Sequence, residues 1–370
     1  MQTALYQLKE NKWISHPDNQ FENDSSVQLA LCFAGKNILK NENAFPQLKA
    51  KFANAEIAMC TTAGEIYHDT VQDDSMVVAA LEFKKTTIKT AAVNIADFSN
   101  SYDAAMALAK KLPHEALTYI MVFSDGSLVN GSELVKGMSE VAGPNVLVTG
   151  GLAGDGANFS STLVGLNEQP TEGKIIAIGF YGKDIVVTHG SQGGWDMFGV
   201  ERDITASTDN VLFEIDNQSA LELYKKYLGP DADNLPGAAL LFPLAVTIPG
   251  STKPIVRTIL SIDEDKKSMT FAGDVPKGSK VRFMKANFDN LTAAASTAAD
   301  QTTLNREDKP SFALLVSCVG RKLILGPRTD EEVEAVNNTF GNKTLLAGFY
   351  SYGEISPFSD GGNCQLHNQT

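Results

Sequence analysis

Residues 55–66, AEIAMCTTAGEI, read as a buried strand that runs into a glycine turn and leaves one carboxylate, Glu65, at its end. The phrase returns in residues 343–355, KTLLAGFYSYGEI, with Glu354 in the matching place. What precedes each phrase repeats as well. The first copy opens with the apolar strand VQLALCFAG (27–35) and a helically spaced AFPQLKAKFAN (44–54). The second opens with FALLVSCVG (312–320) and the helix pattern TDEEVEAVNNTFG, in which Asp330 is an N-cap candidate. A looser third copy lies between them: TYIMVFSDG (118–126), GSELVKGMSEVAG (131–143) and NVLVTGGLAGDG (145–156), which ends at Asp155 where the others carry Glu.

Each copy is a strand–helix–strand crossover, and its continuous apolar strands need cover on both faces, as in a parallel or mixed sheet packed with helices. The fold class is therefore α/β, in the broad sense of mixed α+β. Two intervening segments, DSMVVAALEFKKTTIKTAAVNI and STLVGLNEQPTEGKIIAIGFYGKDIVVTHGSQ, read as β-hairpins with Gly, Asn and Pro in the turns. RTILSIDEDKKSMTFAGDVPKGSKVRFMKAN reads as a three-strand meander before a helix, DNLTAAASTAADQ. A chain of 370 residues predicts two domains. A turn cluster, GPDAD, closes the stretch where the pattern changes, which gives domains at 20–210 and 211–370, each a mixed sheet with crossovers and antiparallel hairpins.

Hydrophobic residues make up 43% and charged residues 20%, a composition that supports packed cores. The net charge of −13 repels a phosphate backbone or an anionic membrane, so nucleic acid is not an expected partner. The first twenty residues lack the apolar core of a signal peptide, and no apolar run approaches the roughly 18 to 20 residues that cross a bilayer. The expectation is a cytoplasmic protein without membrane insertion. Cys32, Cys60, Cys318 and Cys364 form no C-x-x-C pair, and apolar surroundings suit reduced, buried thiols.

Few motifs carry chemistry. Ligands of α/β sheets bind beyond the carboxyl ends of strands, where the turns at Gly64, Gly150 and Gly353 sit, although a glycine there also serves simply to reverse the chain. TGGLAGDG (149–156) lacks the G-K-[ST] ending of a phosphate loop and is not followed by a helix, so it reads as a tight turn in which Asp155 caps the loop or faces ligand. The five histidines have no zinc spacing. His68 and His189 adjoin glycine-turn elements and are the two candidate axial ligands should a haem be bound. No G-x-S-x-G elbow exists, and Ser124 and Ser317 read as hydroxyls that close turns. Arg321 and Arg328 suit either a ligand carboxylate or a salt bridge to Glu331 or Glu332.

The early CTTAGEI together with the late SCVGRK, AGFYSYGEISPF and CQLHNQT resembles the FIST domain proteins, in which an amino-terminal FIST part precedes a carboxyl-terminal one. The resemblance runs from about Val27 to the end of the sequence. It implies a sensory, ligand-binding module of bacterial signal transduction, and no enzyme. In many relatives this module is fused to an output domain; here the sequence stops after it, which implies a separate output protein. Some relatives are described as haem-containing nitric-oxide sensors that regulate a histidine kinase, which would make haem b the cofactor; others are thought to bind small ligands such as amino acids. The family pattern highlights Gly64, Glu65, Gly151, Gly154, Cys318, Arg321, Tyr352, Gly353 and Glu354. In a small-molecule sensor, Glu65 and Glu354 would hold an amino group and Arg321 a carboxylate, between the two domains. The alternatives are a catalytic carboxylate pair, or two carboxylates that cap loops and hold the interface.

Overall fold

All three repeated units are folded crossovers. The computed structural model describes residues 1–370 except 10–11, 22–23, 236, 305, 307, 342 and 358–363. The first unit comprises β1 (Leu29–Ala34), α1 (Ala44–Lys51), β2 (Glu56–Thr61) and, past the glycine turn, β3 (Glu65–Tyr67). The second comprises β4 (Leu117–Ser124), α2 (Gly131–Ala142), β5 (Leu147–Leu152) and β6 (Val164–Leu166). The third comprises β7 (Phe312–Cys318), α3 (Thr329–Phe340), β8 (Leu345–Ser351) and β9 (Gly353–Pro357). In each, the first two strands are parallel, as a helical crossover requires.

The strand that follows each turn leaves its own unit. β3 pairs antiparallel with β8 of the third unit, β9 with β5 of the second, and β6 with β2 of the first. The three units thus exchange strands in a closed cycle, a pseudo-threefold arrangement. Registers show that the cycle is regular: Glu65 faces Phe349, Glu354 faces Gly151, and Val164 faces Cys60. The place held by Glu65 and Glu354 is therefore taken in the second unit by Val164. Asp155 belongs to the longer loop inserted before it, which corrects the sequence alignment of Asp155 with the two glutamates.

Alternation along β1 shows why these strands are apolar throughout. Leu29, Leu31 and Phe33 enter a central core shared by all three units, while Ala30, Cys32 and Ala34 face an outer core closed by Leu48 and Phe52. At the middle, Phe33 stacks on Phe349 at 4.9 Å and meets Phe123 edge-on at 5.7 Å, and Phe123 meets Phe349 at 5.9 Å. Each such pair is worth about 0.5–1.5 kcal/mol beyond its buried area. One phenylalanine per unit therefore pins the axis. α2 is started by Asn130, whose side chain accepts from the Ser132 and Glu133 amides at 2.9 and 3.2 Å. Asp330 does not cap α3; it accepts from the Val71 amide at 2.7 Å and so ties the third unit to the first.

Two segments read as hairpins are not hairpins. Met76–Glu82 lies between β1 and Gln2–Lys9, whereas Thr87–Asn94 pairs with Lys174–Tyr181 in another sheet. Lys174–Tyr181 also pairs with β4, and β6 has gone to β2. Short turns permit a hairpin, but Met76–Glu82 and Lys174–Tyr181 are buried on both faces and take interior positions in two different sheets, which leaves Thr87–Asn94 and β6 at sheet edges. The rest of the chain forms an eight-stranded antiparallel sheet over residues 196–285 with helix Ala220–Leu228 against it. Within it, Lys280–Lys285 pairs with Asp196–Thr208 and Leu244–Thr247 instead of completing a meander. The division at 210/211 falls in the hairpin of Asp196–Thr208 and Val211–Ile215, and residues 312–370 return to the sheets of the first two units. Among the described residues no helix is long and apolar enough to cross a membrane.

Candidate functional site

The cyclic exchange brings the three turns together. The Ala63 amide donates to Tyr350 O at 2.8 Å, the Tyr352 amide to Leu152 O at 3.2 Å, and the Gly154 amide to Thr61 O at 3.0 Å, closing a ring. Glycine is needed at two places in it. Gly64 has φ +142°, and a β-carbon there would lie 2.6 Å from Lys322 Nζ. A β-carbon on Gly154 would lie 2.9 Å from Ala63 N. Gly151 and Gly353 sit opposite Glu354 and Leu152 in the β5–β9 ladder.

The two glutamates turn inward and are held alike. Glu65 accepts from the Thr62 hydroxyl on one oxygen, and from the Ser75 amide and hydroxyl, both at 2.9 Å, on the other. Glu354 accepts from the Ser351 hydroxyl at 2.6 Å on one oxygen, and from the Thr370 amide and hydroxyl at 3.3 and 2.9 Å on the other. Each is buried, so its carboxyl is pushed up: Glu65 to about 7 and Glu354 to about 8, burial outweighing these bonds and, for Glu354, the attraction of Arg321. The phrase is repeated because each copy uses a buried carboxyl group to fasten a distant segment. Neither glutamate is presented to a ligand, which corrects the amino-group expectation.

Arg321 is likewise committed. The residue is 2% exposed; its guanidinium pairs with Glu332 at 2.5 Å and donates to Gly193 O and Leu291 O at 2.5 and 2.7 Å. Glu332 in turn accepts from Ser317 and Tyr350. A ligand carboxylate would have to displace Glu332, so the salt-bridge alternative describes Arg321. Cys318 is buried beside it, and burial pushes its thiol up.

Tyr352 and Asp155 stand where the ring opens outward. The Tyr352 hydroxyl donates to Asp155, whose other oxygen takes Lys36 Nζ at 3.1 Å and the Ser160 and Ser161 amides at 3.2 and 3.1 Å. Burial alone would raise the Asp155 carboxyl, but the bonds from Tyr352, Ser160, Ser161 and Lys36 outweigh it and hold it below the usual range. Phe159 stacks on the Tyr352 ring at 4.6 Å, 18° from parallel, and its amide donates to the Tyr352 oxygen at 3.0 Å. Its φ of +50° is a strained conformation for an aromatic residue, and it is 44% exposed. Together Phe159 and Tyr352 line a cavity of about 630 Å³ with Leu260 and Phe271 of the eight-stranded sheet and Gly273 just past it. Phe159, Lys36 and Ser160 escaped the sequence reading; an isolated aromatic in the polar loop ANFSS was the available signal.

The candidate axial histidines lie apart from this wall. His68, at φ +55°, packs its ring 4.4 Å from that of His16 and does not line the Tyr352 cavity. His189 lines a second cavity, whose wall also carries Lys136, Glu140, Arg257 and Asp274. Apolar residues such as Val135, Val148 and Ile255 share that wall, but the Glu140 and Asp274 carboxylates in it would repel the propionates of a haem, so the residues present do not fit the group well.

Comparison with known families finds two successive matches along the chain. Residues 28–218 match the FIST N domain and residues 220–357 the FIST C domain. None of the curated proteins matches. Together the two matches span nearly the whole chain, and they indicate a sensory signal-transduction domain that binds small ligands.

Proposed function

Since the chain belongs to the FIST family, we propose that it is a non-catalytic sensory protein whose small ligand is held between the FIST N and FIST C parts against Tyr352 and Phe159. One observation carries this reading. A strained, exposed aromatic is stacked on a ring-anchored tyrosine, in a cavity lined by residues of both family parts. Leu128, Phe159 and Leu260 are exposed large apolar residues that line it, which favours a ligand with an apolar or aromatic body, an aromatic amino acid among the candidates. The two sides of the cavity would close on such a ligand, and the changed surface would be read by a separate output protein such as a histidine kinase. An acid–base role for Glu65 and Glu354 finds no support, because each is buried in its own hydroxyl cradle.

The test is thermal unfolding with tryptophan, phenylalanine, indole and benzyl alcohol. A ligand at one hundred times its Kd adds about 2.7 kcal/mol of stability. Phe159→Ala should remove most of that gain. If none of the four raises Tm, or Phe159→Ala keeps the full gain, the cavity is not the sensing site. Titration with ferric haem, in the parent chain and in His189→Ala, checks the gas-sensor alternative: a stoichiometric Soret band lost in the variant would reinstate it.

A further inference from the structure

The larger cavity, about 740 Å³, lies along α2 and is a different space from the Tyr352 cavity. The segment 272–274 divides them: Ala272 and Gly273 line the smaller, Asp274 the larger. This partition is fastened to the start of α2, where the Asp274 amide donates to Ser132 Oγ at 3.4 Å.

Arg257 is the unusual group on its wall. The residue is 4% exposed, yet its hydrogen bonds go to backbone carbonyls: Nε donates to Asp274 O at 2.9 Å, and Nη1 to Val256 O and Leu366 O at 3.3 and 3.1 Å. Among the described residues no carboxylate makes a salt bridge with it and Nη2 has no hydrogen-bond partner. Burial pushes this guanidinium down to about 10, against the partial attraction of Asp274. The charge is felt nearby: His367 is pushed down to about 4, first by burial and then by Arg257 and His189. A buried cation without a bonded counter-ion is costly, and an anion arriving at Nη2 relieves that cost.

We propose that this cavity binds a small organic carboxylate on an apolar body, with Arg257 as the anchor. The wall specifies both parts. Asp274 and Glu140 also line the cavity, and their charges disfavour a dianion such as phosphate while a single carboxylate is tolerated. Val135, Val148 and Ile255 supply an apolar surface for the body. This site is independent of the Tyr352 cavity and does not rest on it.

Isothermal titration of the whole chain carrying Phe159→Ala, which disables the Tyr352 cavity, with sodium benzoate tests the site, with benzyl alcohol as the neutral counterpart and inorganic phosphate as the anion without a body. Benzoate should bind saturably at one site, at least tenfold more tightly than either comparator. Arg257→Gln should weaken benzoate at least tenfold. Ser139→Trp, which places an indole in the cavity from α2 and leaves Arg257 intact, should abolish benzoate binding and decides the matter if Arg257→Gln does not fold. No saturable benzoate heat, equal affinity for benzyl alcohol, or unchanged benzoate affinity in Ser139→Trp would each overturn the proposal.

Discussion

Replacing Glu354 by Gln should make the protein more stable in mild alkali while leaving it nearly unchanged in mild acid. The folded carboxyl is raised from 4.5 to about 8, so between those values the folded state holds a proton that the unfolded state has released. Its stabilising contribution is complete below about pH 4.5 and is lost as pH rises through 8. At about 1.4 kcal/mol for each tenfold change in proton affinity, the loss is about 5 kcal/mol; Glu65, raised to about 7, adds about 3 kcal/mol over its own window. The two carboxyls together should therefore lower wild-type stability by about 2.7 kcal/mol per pH unit between pH 5 and 7, and by half that between 7 and 8, while His367, depressed to about 4, offsets about half of the fall up to pH 6.5. Glutamine reproduces the neutral acid. Its amide group can donate to Ser351 Oγ, and its carbonyl can accept from the Thr370 amide and hydroxyl. Urea unfolding followed by fluorescence and circular dichroism at pH 5, 7 and 8.5 measures the difference. Glu354→Gln should match wild type within about 1 kcal/mol at pH 5 and exceed it by several at pH 8.5. A wild-type stability flat from pH 5 to 8.5, or a variant no more stable at pH 8.5, would refute the buried neutral carboxyl.

Arg321→Met should cost about 3–5 kcal/mol in the same urea assay because Glu332 is left buried and unpaired, and the double variant with Glu332→Met should recover much of it. Gly64→Ala should cost about 1–3 kcal/mol from its φ of +142° and the contact with Lys322, so an unchanged midpoint would show that the turn can relax. Tyr352→Phe removes the hydroxyl's bond to Asp155 and the acceptor of the Phe159 amide; a loss of about 1–2 kcal/mol in unfolding free energy is expected, and no loss would mean that Lys36, Ser160 and Ser161 satisfy Asp155 alone and that the loop of Phe159 relaxes.

Local pattern determined a good part of this protein. The apolar run LALCFA, the helical spacing of GSELVKGMSEVA and the glycine after each second strand are short-range signals, and they specify three crossovers and a mixed α+β fold. The glycine-rich turn singled out Asp155, and the family resemblance Tyr352; the structure places Tyr352 on the cavity wall and Asp155 as its hydrogen-bond anchor. Tertiary structure decided where the strands after the turns go, because β3, β6 and β9 are only three to five residues long and their partners are set by burial against another unit. It decided the fate of the charges for the same reason. GEI reads as an exposed carboxylate when seen alone, but Ser75 and Thr370 arrive from elsewhere in the chain to bury it, and Glu332 reaches Arg321 only because α3 folds back across the third unit. Whether a polar side chain faces a ligand or a cradle depends on the sum of such distant contacts, and that sum exists only in the folded molecule.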